Sequence, residues 1–135
     1  MNHIYLVNAL VTDETGRMLA VRKKKSKFFQ MVGGKREQDE ELLTALRREF
    51  LEEINVDILQ HDVSFLGKHT SIAVNEANTE VHANVFHVKL RSLETLKIAS
   101  EIEEMAWITQ ENYHDYQLAH LLEEFSLPIW LEMEF

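Results

Sequence analysis

The chain has 135 residues, 45% of them hydrophobic and 27% charged, a balance that fits one globular domain spanning 1–135 with one core. Cysteine is absent, which excludes disulfides, a thiol nucleophile and a thiolate metal site, and suits a reducing cytoplasm. A formal net charge of −9 excludes nucleic-acid backbones as partners unless a local basic patch overcomes the repulsion.

The apolar run 4–11 is short, contains Asn8 and lacks a basic leader, so it reads as a buried strand rather than a signal peptide or membrane span. Asp13-Glu14-Thr15-Gly16 is a turn by composition, and 18–22 reads as the return strand of a hairpin. A basic run follows, Arg22-Lys23-Lys24-Lys25-Ser26-Lys27, holding five of the fourteen Lys and Arg. It is either a solvated loop or a phosphate-attracting rim. Residues 28–32 form a short apolar run that stops at Gly33-Gly34.

The strongest helical pattern lies at 40–54, where Leu42, Leu46 and Phe50 recur every four residues and Leu43, Ala45 and Ile54 widen the stripe. Asp39 is the expected N-cap, and Asn55 is an acceptable left-handed residue at the C-terminus. Strands are expected at 63–66 and 70–74, with a loop at 75–79. In 81–90, Val81, Ala83, Val85 and His87 alternate with His82, Asn84, Phe86 and Val88, so both faces carry apolar residues, as in a sheet covered by helices. A further strand is expected at 105–108, and 110–125 is helical in composition with a break near Tyr116. Strands mixed with two helical segments predict an α/β (α+β) sandwich, a mixed central sheet flanked by helices.

Glu49, Glu52 and Glu53 sit at i, i+3 and i+4, on one face of the predicted helix. Like charges that close repel, so stability alone would not select them. A divalent cation turns the repulsion into attraction, and oxygen-only ligands are those that Mg²⁺ or Mn²⁺ prefers. The bland alternative is an amphipathic helix with a solvated acidic face.

The wider spacing is more specific. Gly34, five residues, Glu40, seven residues, then Arg48-Glu49-Phe50-Leu51-Glu52-Glu53-Ile54-Asn55-Val56 resembles the box of the Nudix hydrolase family, over 34–56. Gly34, Glu40, Arg48, Glu49, Phe50, Glu52, Glu53 and Val56 match; Asn55 stands where the family has Gly, and Val32 where many relatives have Pro. The resemblance implies a loop-helix-loop catalytic box in an α/β/α sandwich. It implies Mg²⁺-dependent (or Mn²⁺-dependent) hydrolysis of a nucleoside diphosphate linked to another group, with a small-molecule nucleotide as partner. The small size leans toward nucleoside triphosphates, oxidised forms included. Glu52, Glu53 and the Gly33 carbonyl are implied metal ligands, and Glu49 is either a ligand or the general base. Arg48 is implied to orient the box carboxylates, and Gly34 and Glu40 to be structural.

Outside the box, Lys35, Arg22 and Lys23 are candidate phosphate contacts and Gln30 a candidate contact to base or sugar; the bland reading places each at the surface. Glu101 and Glu104 both stand in a segment that resembles the one delivering a further acid to the metal, and Glu104 joins the expected ligand set. The seven His residues show no metal-ligand spacing and read as structural or solvent-facing. Neither a nucleophile elbow nor a P-loop is present. The expected protein is a cytoplasmic monomer or homodimer without nucleic-acid or membrane partners. A second reading is a catalytically silent Nudix-fold module that senses a nucleotide. Such modules usually lose box carboxylates, and here none is replaced.

Overall fold

A computed structural model describes residues 1–73 and 77–135. The expected strand end at Val74 and the loop residues Asn75 and Glu76 lie outside the described residues. Strand β1 (Asn2–Thr12) is the hub of a seven-stranded mixed sheet. On one edge it runs parallel to β6 (Thr79–Lys89), in register from Asn2 with Thr79 to Thr12 with Lys89. Its other edge is shared antiparallel by β2 (Met18–Lys23) and β4 (Val32–Lys35). The expected hairpin therefore closes only at Val11 and Thr12, because Leu6 to Ala9 on that edge pair with β4 instead. Strand β2 goes on to pair with β3 (Phe29–Gln30) and with β7 (Ile102–Ile108).

Two sequence-based boundaries move for identifiable reasons. The apolar run 28–32 is divided between β3 and β4 at Met31, and β4 continues through Gly33 and Gly34 because both pair with β1. The strands expected at 63–66 and 70–74 are one strand, β5 (Asp62–Ile72), in which a bulge between Phe65 and Gly67 absorbs a residue without ending the ladder with β6.

The alternation along the central strands builds two cores. Val7, Ala9 and Val11 of β1 and Phe86 and Val88 of β6 face helix α1 (Leu42–Ile54), meeting Ala45, Leu46, Phe50 and Ile54. Leu10, Ala83 and Val85 face the other way, onto Leu118, Leu122 and Trp130. A sheet buried on both faces is the sandwich that the apolar content on both sides of 81–90 predicts.

Helix α1 starts two residues later than expected. Asp39 does not cap it: with φ 63° it turns the chain in the left-handed region, and Glu41 occupies the N-cap without a side-chain bond. The turn frees the Glu40 side chain to fold back and accept the Glu37 N–H at 3.0 Å. The helix ends at Asn55, whose φ of 59° and ψ of 34° are left-handed and whose N–H bonds to the Phe50 carbonyl. Asn55 also donates its Nδ2 to the Thr95 carbonyl at 3.0 Å, a contact that glycine could not make. Asn55→Ala is expected to lower stability by about 1–2 kcal/mol, from left-handed strain and the lost bond. Urea unfolding checks this, and an unchanged midpoint contradicts it.

The C-terminal region meets the expectation at 110–125 in part: the chain breaks at Tyr116 as expected, and regular helix begins only at His120. A 3₁₀ turn at Tyr113–Asp115 is followed by an extended piece that brings Leu118 beside Phe29. A π-helical turn, Leu122–Ser126, then runs into α2 (Leu127–Leu131). Pro128 does not terminate this stretch because it stands in the first turn of α2. Among the described residues no helix is long and apolar enough to cross a membrane.

Candidate active site

The site forms where the polar face of α1 meets the end of β4. Gly34 lies against Glu49: a Cβ built there would come within 2.8 Å of the Glu49 carboxylate. Gly33 has φ 142°, and a Cβ there would strike the Val7 carbonyl oxygen across the strand pair. The two glycines thus let backbone and carboxylates approach more closely than any side chain permits.

Arg48 fixes the acidic cluster. It donates Nε and Nη2 to the two oxygens of Glu40, each at 2.9 Å, and Nη1 to Glu49 Oε1 at 3.0 Å. Its Nη2 also reaches the Lys35 carbonyl at 3.2 Å. Glu40 and Arg48 would not stack on one ideal helix; they meet because Glu40 precedes the helix start. The Arg48 hydrogen bonds, with the Glu37 N–H, pull Glu40 down to about 2, and Glu40 in turn raises Arg48 further above its ordinary value.

Glu53 is in the opposite condition. It is 5% exposed, and its Oε1 has no hydrogen-bond partner among the described residues. Burial first, then hydrogen bonding to Glu49 and the Glu49 charge, push its pKa well up; Lys23 and a Gly33 backbone hydrogen bond oppose the shift less strongly. A desolvated carboxyl beside a second one favours its protonated form until a cation supplies the counter-charge. With Glu52 on the same face, Glu49 and Glu53 make an oxygen-only donor set, which fits a hard divalent cation such as Mg²⁺ or Mn²⁺.

These acids line a cavity of about 210 Å³ together with Lys23, Lys35, Ser100, Glu101 and Ile102. The segment before β7 is strapped onto the end of α1, with Lys97 N–H donating to the Ile54 carbonyl and Ala99 N–H to the Glu53 carbonyl, both at 3.0 Å. The strap satisfies helix-terminal carbonyls and brings Glu101 to the cavity wall. Glu104, the acid placed in the expected ligand set, does not line the cavity. The β2–β7 register sets it opposite Arg22, and the two side chains pair at 3.1 Å. That pairing, with a bond from Arg22 Nη1 to the Ser26 carbonyl at 2.9 Å, also keeps Arg22 off the cavity wall. Of the basic run, only Lys23 lines the cavity.

Gln30 lines a second cavity, of about 170 Å³, on the other face of the sheet with Leu6, Asn8, Met31, Ala119, Leu121 and Leu122. Asn8 is 7% exposed and its Oδ1 has no partner among the described residues. Sequence reasoning did not assign Asn8 a role; the available signal was a lone amide inside the apolar run 4–11.

The glycine pair of β4, the Arg48 clamp and the buried acid bring the residues of the expected box together. The family described as the NUDIX domain matches residues 3–127. The chain belongs to the Nudix hydrolase family. Solved structures agree on the fold. The Nudix chain is similar to the Escherichia coli ORF135 protein at 25% identity, covering 97% of this chain and 88% of that one with a TM-score of 0.70. The E. coli dihydroneopterin triphosphate pyrophosphohydrolase is 16% identical, with 88% and 90% covered and a TM-score of 0.74. The NUDIX domain of Shewanella oneidensis NrtR, complexed with ADP ribose, is 14% identical, with 97% and 87% covered and a TM-score of 0.74. Comparison with curated proteins finds no match. For this Nudix chain the reaction class is hydrolysis of a nucleoside diphosphate linked to another group.

Proposed function

We propose that this Nudix hydrolase is a Mg²⁺-dependent pyrophosphohydrolase of a nucleoside triphosphate, ribo or deoxy, with oxidised bases included among its substrates. The observation that carries the reading is Glu53: a buried acid with an unpartnered oxygen, pressed against Glu49 on a cavity walled by Lys23 and Lys35. Glu52, Glu53 and the Gly33 carbonyl are the groups that would hold the cation, Glu49 serves as the general base, and Glu101 is the further acid on the same wall. A bound Mg²⁺ would neutralise phosphate oxygens and make a water more acidic.

The chain's own residues do the rest. Lys23 and Lys35 meet the phosphates as ammonium donors. Arg48 occupies Glu49 Oε1 and so orients that carboxylate, leaving its other oxygen to take the proton of the attacking water. Glu40 holds Arg48 in place from the far side of the guanidinium. The base enters the second cavity, where Asn8 and Gln30 supply amides. Strand β4 pairs only with β1 among the described residues, so its other edge gives the nucleotide a route from one face to the other.

The test is release of phosphate or pyrophosphate from a panel of nucleotides with Mg²⁺ or Mn²⁺. A wild type inert across the panel overturns the reading, and ligand-induced thermal stabilisation without product would favour the sensor module instead. On the best substrate, Asn8→Ala is expected to raise KM about tenfold with a smaller change in kcat. Steady-state kinetics with an unchanged KM would remove Asn8 from substrate recognition.

A further inference from the structure

Three side chains at the start of β1 and β6 converge outside both cavities. The parallel register sets His3 beside Glu80 and Tyr5 beside His82. Residues two apart on a strand share a face, so Glu80 and His82 project together and His3 meets them from the neighbouring strand. His3 Nδ1 lies 2.9 Å from His82 Nε2 and 3.7 Å from Glu80 Oε1. His82 Nε2 lies 3.0 Å from Glu80 Oε1. With ligand bonds of about 2.0–2.1 Å, adjacent ligand atoms around a tetrahedral Zn²⁺ sit about 3.3–3.4 Å apart. The three observed edges bracket that value.

The triangle is held in place. The Tyr5 ring stacks on His82 with centroids 5.0 Å apart and planes 17° from parallel. The Arg36 guanidinium covers Tyr5 at 5.7 Å from the ring centre. The His82 side chain is 14% exposed, whereas His3, at 43%, leaves one side of the triangle open to solvent. Ligands borne on packed strands with a stacked imidazole are preorganised, and the open side leaves room for water as a fourth ligand.

We propose that His3, Glu80 and His82 form a second metal site, one that takes a borderline-soft dication of the Zn²⁺ class and is chemically distinct from the oxygen-only box. Two imidazoles and one carboxylate select such an ion, while Mg²⁺ prefers oxygen donors. The ion would clip together two strands whose histidines are 79 residues apart in sequence. Because it binds only the folded arrangement, it stabilises the protein by mass action. The proposal does not depend on what the box hydrolyses.

The full chain, stripped of metal and held in excess Mg²⁺, is titrated with Zn²⁺ against a chromophoric chelator and its melting temperature followed. One Zn²⁺ per chain and a raised Tm are expected. His3→Ala and Glu80→Gln should each weaken that binding about tenfold or more and abolish the Tm rise. Glu53→Gln should keep it, and Mg²⁺-dependent hydrolysis in His3→Ala should match wild type. No Zn²⁺ uptake in the presence of Mg²⁺, or uptake by His3→Ala equal to wild type, overturns the site. His3 is half-exposed, so its removal does not threaten folding.

Discussion

Glu53→Gln is expected to lower Mg²⁺-dependent turnover by about a thousandfold or more, while making the cation-free protein more stable at neutral pH. The loss follows from removing a charged ligand of the cation and changing the charge beside Glu49. The gain follows from the sign of the pKa shift. Glu53 is raised above its ordinary value of 4.5, so the fold favours its protonated form. That contribution is fully present below the ordinary value and is lost as pH rises through the raised, folded-state value. Glutamine keeps a neutral side chain at every pH. Wild type should therefore fall progressively behind the variant between about pH 5 and 9 in EDTA, and Mg²⁺ should restore wild type alone. Urea unfolding across that range is the measurement. A pH-independent difference between the two proteins would contradict the buried-acid account.

Gly33→Ala is expected to cost about 3 kcal/mol or more. At φ 142° the position is open to glycine and hostile to other residues, and the added methyl would strike the Val7 carbonyl and come within 2.6 Å of Asn8 Cα. Both obstacles are backbone of the central strand, so neither can rotate away. Gly34→Ala should behave differently. Its φ is ordinary for an L-residue, and the Cβ would meet the end of the Glu49 side chain, which can move. That variant should fold near wild-type stability and lose most activity, because Glu49 is displaced from its bond with Arg48. Thermal unfolding and steady-state kinetics on the pair separate the two effects. Equal stability losses would show that the glycines do not differ in this way.

What could be read in advance followed local rules. The leucine and phenylalanine period of 40–54 fixed α1, the alternation of 81–90 fixed β6 as buried on both faces, and a tolerance for left-handed geometry anticipated Asn55 at the helix end. Failures came where tertiary partners decide. Asp39 has the right chemistry for an N-cap, but its left-handed φ points Glu40 at Arg48 instead. Nothing local says that β4 will outcompete β2 for one edge of β1. Glu101 and Glu104 have the same chemistry, and only the register of β7 against Arg22 separates them. Spacing along the chain cannot reveal His3 beside His82; a parallel ladder joins them.

That ladder also has a kinetic consequence. Strand β1 is made long before the partner of its longest pairing, since Asn2 to Thr12 bond to Thr79 to Lys89 along their whole length. Closing so long a loop makes folding slow, and it leaves an apolar edge exposed while the intervening chain is still emerging from the ribosome. The box helix can form from its own periodicity much earlier. The strand that holds its glycine pair in place becomes permanent only when β6 arrives, so catalytic competence should be a late property of a newly made chain.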